Sequence, residues 1–267
     1  MTSRSTIALP VVLVCALASP VLAADGVLIV QQSTTGGKST TNQVQMEKTR
    51  MRADVSGAMG EKLSTIFDST KQILWVVNYD RKSYMEMTKA DVDRTAGQLN
   101  AAMSQMQEQM KNMPPAQRAQ IEAMMRGRGI GPGAANRARP QYRKTGSDMV
   151  GRWSCEKYEG FQNEQKVSEL CTVDPKVLNL TPADLEITRQ LASFFEALMP
   201  QNADALFRIG SADQGFSGVP VRSVTSIGGQ PTTIELKDVT RQNFADSTFA
   251  LPEGFQKQQM PGGRGRQ

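Results

Sequence analysis

The chain contains no histidine. That absence removes the commonest general base and the commonest transition-metal ligand together, and argues against Ser-His or Cys-His triads and most zinc sites. Thiols are few as well. Of three cysteines, Cys15 lies in an N-terminal apolar segment, leaving Cys155 and Cys171, and neither has a second thiol two residues away as a redox motif would. Beyond the first 23 residues no apolar run approaches membrane length. Carboxylates such as Asp54, Glu61, Asp68 and Asp80 are scattered over strand ends and turns, and none is paired with another across a substrate-sized gap. These absences argue against an enzyme and supply no cofactor site; Asp68 reads as a turn residue bonding its own backbone.

What is present begins with an export segment. Arg4, an apolar stretch from Ile7 to Ala18, and small residues at Val21-Leu22-Ala23 fit a signal peptide over residues 1–23 with cleavage after Ala23. A lipid anchor on Cys15 would need a small residue where Val14 stands. Removing Arg4 from 31 basic residues leaves 30 against 26 acidic, a net of +4. The expected location is periplasmic or secreted. In an oxidising compartment Cys155 and Cys171, 16 residues apart, read first as a disulfide across a hairpin and second as a redox or metal-binding pair.

Residues 24–257 read as one domain of α+β class. Strands are expected at Gly26–Ser33, Thr41–Glu47, Thr49–Val55, Lys62–Phe67, Gln72–Asn78 and Ser83–Met87, with Gly36-Gly37 as a turn. In the last of these Met85 and Met87 share a face opposite Tyr84 and Glu86. Thr88 with Asp91 marks a helix start, opening a Met-rich insert over 88–126 that breaks at Met113-Pro114-Pro115 and resumes with Ile121, Met124 and Met125. The stretch Arg126 to Lys144, with a flexible loop at 127–140, is rich in glycine, proline and arginine and lacks apolar periodicity. Its arginines resemble an RNA-binding segment, but export removes nucleic acid as a partner, and anionic head groups would be the alternative target.

Further strands are expected at Val150–Tyr158 and Gln165–Val173 around a turn near Gly160. A second helix opens at Thr181-Pro182 and runs to about Met199, with Leu185, Leu191, Phe194, Phe195 and Leu198 as its apolar stripe. A hairpin, Val219–Ser226 with Thr232–Thr240, and an extended Phe249–Phe255 end the fold, and a disordered basic tail follows over 258–267.

The segments Ile66-Phe67-Asp68, Trp75, Lys82 to Met87 and Pro114 to Arg118 together resemble the exported bacterial family called domain of unknown function 4412. Gly218-Val219-Pro220-Val221 and Phe249 to Phe255 are similar to Lol-type periplasmic lipoprotein carriers. That second resemblance implies a strongly curved antiparallel sheet, an incomplete barrel whose concave apolar face is covered by helices and receives acyl chains; the Met-rich insert departs from the carriers.

Methionines 103, 106, 110 and 113 fall on one helix face. Such a face is soft and apolar, and suits a packing seam or an adaptable ligand surface. Met103, Met106, Met110 and Met113, with Trp75 and Tyr84, are therefore the candidates for lining a site that takes a hydrophobic small molecule or lipid. The alternative is an envelope-stress or chaperone-like role with envelope proteins as partners, because Pro114 to Ile121 is similar to the helix-opening repeats of Spy-type chaperones. A Cu(I) site on the thioethers is a weaker variant.

Overall fold

Short runs of strand-forming residues separated by turns organise the described parts of this chain. The computed structural model describes residues 25–57, 60–114, 117, 119–120, 140–162, 164–198, 214–227 and 230–259. The expected signal segment with Cys15 and Ala23, Met124 and Met125 of the expected second insert helix, the loop 127–139, and the tail from residue 260 lie outside the described residues.

Six strands come first: β1 Gly26–Thr35, β2 Lys38–Met46, β3 Arg50–Ser56, β4 Lys62–Asp68, β5 Ile73–Asn78 and β6 Ser83–Thr88. They form an antiparallel meander. Gly36 and Gly37 have φ of +56° and +79°, and Thr35 pairs with Lys38, so the turn has the two positive φ values that a two-residue hairpin requires. Helix α1, Lys89–Lys111, follows directly. Thr88 and Asp91 close the expected capping box, with Asp91 N donating to Thr88 Oγ1 at 3.2 Å and Thr88 N to Asp91 Oδ2 at 3.1 Å. The helix ends at Lys111, just before the Met113-Pro114 break.

Strands β7 Gln141–Val150, β8 Trp153–Gln162 and β9 Gln165–Val173 come next, then a 3-10 turn, Pro175–Leu178, and helix α2, Glu186–Phe195. Strands β10 Val219–Ile227 and β11 Gln230–Gln242, a second 3-10 turn at Asp246–Phe249 and a short β12, Gln256–Gln258, complete the chain.

Several boundaries differ from expectation. Gln141 to Lys144, read as part of a loop, belong to β7, and Val150 ends that strand instead of beginning the next. Gly160 lies inside β8, where its missing Cβ makes room for Tyr142: a Cβ there would stand 2.6 Å from Tyr142 Cε1 and 2.3 Å from Ser168 Oγ. The Thr181-Pro182 start is entered through bonds of the i to i+3 kind, Asp184 N to Thr181 O at 3.1 Å and Glu186 N to Ala183 O at 3.2 Å, so the α-helix proper begins at Glu186. Phe249 to Phe255 is no strand, since Pro252 lacks a donor and Gly254 sits at φ +76°. The ladder forms instead at Gln256–Gln258, parallel to β6, which brings Gln258 out of the tail and into the sheet.

All twelve strands form one unclosed sheet in the order β12-β6-β5-β4-β3-β2-β1-β11-β10-β9-β8-β7. Pairing of β1 with β11 joins the first half of the chain to the last, Gly26 opposite Gln242 and Thr35 opposite Thr232. The sheet curls strongly. β7 and β10 are three strand spacings apart, about 14 Å in a flat sheet, more than an aspartate and an arginine side chain jointly bridge, yet Asp148 of β7 is ion-paired with Arg222 of β10.

That core lies on the concave side. It takes Val27, Met46, Met51, Phe67, Leu74, Trp153 and Leu236 from the sheet, Leu185, Ile187, Leu191 and Phe194 from α2 and its approach, and Val92 from α1. The expected stripe of α2 packs inward, with Phe195 and Leu198 at its margin. Phe194 meets Phe67 edge-on at 5.4 Å between centroids. Cys155 and Cys171 are joined in a disulfide that ties β8 to β9, with Cα atoms 5.4 Å apart.

Candidate functional site

The parity of each strand decides what faces the concavity. On β5, Leu74 and Val76 face the concave core while Trp75 and Val77 belong to a separate cluster on the convex side. On β6, Met87 is concave and Tyr84 convex. The concave apolar face runs from Met87 of β6 across the sheet to Trp153 of β8, and part of it is only half-buried: Ile29, Val44, Ala53, Val76 and Met87.

The six ligand-lining candidates do not come together. Trp75 and Tyr84 lie on the far side of the sheet, beneath a strap made of Phe244, Phe249, Leu251 and Phe255. There Trp75 Nε1 donates to Glu86 Oε2 at 3.0 Å, and Glu86 in turn receives Lys257 of β12 at 2.6 Å. These two contacts, Lys257 first, hold the Glu86 carboxyl below its ordinary range. Trp75 and Tyr84 thus pack with the strap, on the face of the sheet opposite Met87. The reason is the two-residue period: Met87 and Tyr84 cannot share a face of one strand.

The methionines remain together. Met110 is buried, and Met103, Met106 and Met113 are half-buried. They continue the line of Val92 and Ala96 on α1, whereas Leu99 on the same line is 49% exposed. Val92 of this helix belongs to the concave core, and Met110 is buried toward the other end of the same helix face.

A cleft opens at one end of the sheet, where the strand ends of β1, β2 and β11 meet the chain between β9 and α2. Its volume is about 730 Å³, and it is lined by Asp25, Met46, Glu47, Lys48, Lys176, Asn179, Leu180, Thr181, Ala183, Asp184 and Arg241. Met46 and Leu180 are members of the concave core, so the floor of the cleft is the edge of the concavity. Arg241 braces one wall, donating to Asn179 O at 3.0 Å and to Asp184 Oδ2 at 2.5 Å. Burial pushes the Asp184 carboxyl up, but Arg241 and the two donors of Thr181 outweigh it and hold it below its ordinary value. Nothing local in the sequence marks this cleft: its residues come from four segments with no common period.

Asp54, Asp68 and Asp80, three of the four carboxylates singled out by the sequence, hydrogen-bond within the fold. Asp68 Oδ1 accepts Lys71 N at 3.0 Å, as a turn residue does; Asp80 accepts Lys62 N at 2.9 Å; Asp54 accepts Arg52 Nε at 2.8 Å and is bonded to Ser64. Among the described residues no three histidine, cysteine or acidic side chains are grouped to hold a metal, and no helix is long and apolar enough to cross a membrane.

The architecture is that of an α+β protein whose large antiparallel sheet curves without closing. No family model and no curated protein matches the chain, so membership in domain of unknown function 4412 is not shown. Solved structures with a similar course include an uncharacterized conserved protein from Thermus thermophilus, at 9% identity over 89% of this chain and 91% of that one with a TM-score of 0.44. The lipoprotein LppX of Mycobacterium tuberculosis aligns at 7% identity over 84% and 90%, TM-score 0.36, and LprF of Mycobacterium bovis at 12% over 85% and 89%, TM-score 0.30. At such identities and scores they assign no function to this chain.

Proposed function

We propose that this protein is exported and holds a hydrophobic molecule of lipid class against the concave face of its sheet, with the methionine row of α1 as an adaptable wall. One observation carries the reading: the apolar concave face runs from Met87 of β6 to Trp153 of β8 on an unclosed sheet, yet Ile29, Val44, Ala53, Val76 and Met87 on it stay half-buried. Thioether side chains conform to apolar partners of varied shape, and Met103 and Met106 are half-buried on the helix face that begins with Val92. The Cys155–Cys171 bridge supports an oxidising compartment, periplasmic or secreted.

The test combines native mass spectrometry of the purified mature chain with binding of a fluorescent fatty-acid probe. Co-purified acyl mass and saturable probe binding are expected. Met103→Gln with Met106→Gln should weaken the probe while leaving the unfolding midpoint nearly in place, because amides in an apolar site lack partners but these positions are only half-buried. Absence of both acyl mass and probe binding overturns the proposal; suppression of client aggregation in that same material would point to the chaperone-like alternative.

A further inference from the structure

The cleft at the sheet end joins an apolar floor to a charged rim. Met46 and Leu180 belong to the concave core, so the floor of the cleft adjoins the apolar face on which the proposed ligand lies. Its size, about 730 Å³, falls in the range of small-molecule sites.

Most of the rim charge is already spoken for. Asp184 is bound by Arg241, and Glu47 accepts Arg50 Nε at 3.0 Å and Nη2 at 2.6 Å. Two ammonium groups are left without an ion pair or hydrogen bond among the described residues. Lys48 stands on the β2–β3 turn, and Lys176 on the 3-10 turn after β9. Asp25 also lines the cleft, and Arg50 is shared between Glu47 and Asp246, so the rim is not positive as a whole; what sets Lys48 and Lys176 apart is that both cations are exposed and unpaired on the same cleft. An exposed cation pair above a buried apolar floor has the polarity of an amphiphile inverted onto the protein.

We infer that this cleft seats a single-chain amphiphile with an anionic head, a fatty acid or a lysophospholipid, its head between Lys48 and Lys176 and its tail over Met46 and Leu180 into the concavity. The inference rests on the lipid reading above and adds to it the class of ligand and the side from which it is held. Head and tail have separate requirements: the tail needs the apolar face, the head only the lysines.

That separation sets the experiment. A fluorescent long-chain acid and its methyl ester are titrated into the full mature chain and into Lys48→Glu/Lys176→Glu, with Lys48→Gln/Lys176→Gln as a milder pair. In the unaltered protein the acid should bind more tightly than the ester, and the preference should shrink as salt rises from low concentration to about 0.5 M. Charge reversal should weaken the acid about tenfold, as expected for two exposed ion pairs lost and replaced by repulsion, and neutralisation should weaken it less; ester binding should stay within about twofold in both. Equal binding of acid and ester by the unaltered protein, or equal weakening of both by the substitutions, overturns the head-group assignment and leaves the lipid reading standing. If neither probe binds, both fall. Displacement of the acid by millimolar inorganic phosphate, with the ester undisturbed, would show a site for small anions instead of lipid heads and would also overturn it.

Discussion

Truncation of Phe194 to alanine tests the seating of α2 on the curved sheet, on which the proposed site depends. The ring is 2% exposed and stands edge-on to Phe67 of β4 at 5.4 Å and to Phe195 at 5.2 Å. Removing a buried phenylalanine costs about 3–5 kcal/mol, the lost transfer energy plus the cavity left behind. Since domain stabilities are about 5–15 kcal/mol, Phe194→Ala should lose a large fraction of the whole, and Phe194→Leu, which keeps most of the apolar volume, clearly less. Phe67 is 1% exposed and should behave alike. If helix and sheet meet through these two rings, the pair should be coupled by about 0.5–1.5 kcal/mol beyond area burial, where independent sites would add within about 0.3–0.5 kcal/mol. Urea unfolding of the four proteins in this cycle supplies the numbers. The two tryptophans make the readout specific: Trp153 belongs to the concave core and Trp75 to the convex cluster, so replacing either by phenylalanine leaves the other reporting one face. Additive single losses, or a loss under about 1 kcal/mol for Phe194→Ala, would refute the docking of α2 against β4.

Three further outcomes follow from the geometry. Cys155→Ala with Cys171→Ala should lower stability by about 3 kcal/mol, the chain-entropy value for a loop of this length, measured by urea unfolding; equal midpoints for the pair and the oxidised parent would contradict it. Asp184 has a folded-state pKa below its ordinary 3.8, so its contribution is fully present above that value and disappears as pH falls through the lower folded one. Asp184→Asn should therefore be less stable than the parent at neutral pH, with the gap narrowing below about pH 4; a gap independent of pH would count against the Arg241 pair. Gly160→Ala should cost about 1–3 kcal/mol, the penalty of overpacking, because the new methyl meets the Tyr142 ring, and an unchanged thermal midpoint would show that the ring moves aside freely.

Much of the local structure is written along the chain. The Gly36-Gly37 turn, the Thr88/Asp91 cap, the Pro114 stop, the apolar stripe of α2 and the opposition of Met87 to Tyr84 are all properties of residues within a few positions of one another, where backbone sterics and side-chain periodicity act directly. The partnership of Cys155 with Cys171 was legible for the same reason, being a short-range hairpin contact. Strand β7 escaped because its first residues, Gln141 to Lys144, carry no apolar alternation, and its place in the sheet comes from pairing with β8. Other features exist only in three dimensions. Alternation assigns Trp75 and Val76 to opposite faces but does not say which face is concave; that follows from the curl, and the curl is seen in contacts such as Asp148 with Arg222, across two intervening strands. The β1–β11 pairing joins residues from opposite ends of the chain, Gly26 with Gln242, so no local pattern encodes it. The cleft gathers Lys48, Lys176 and Arg241 onto one rim by the same closure: a period of two or of 3.6 places a residue relative to its own element, and only the packing of whole elements places one element's ends beside another's.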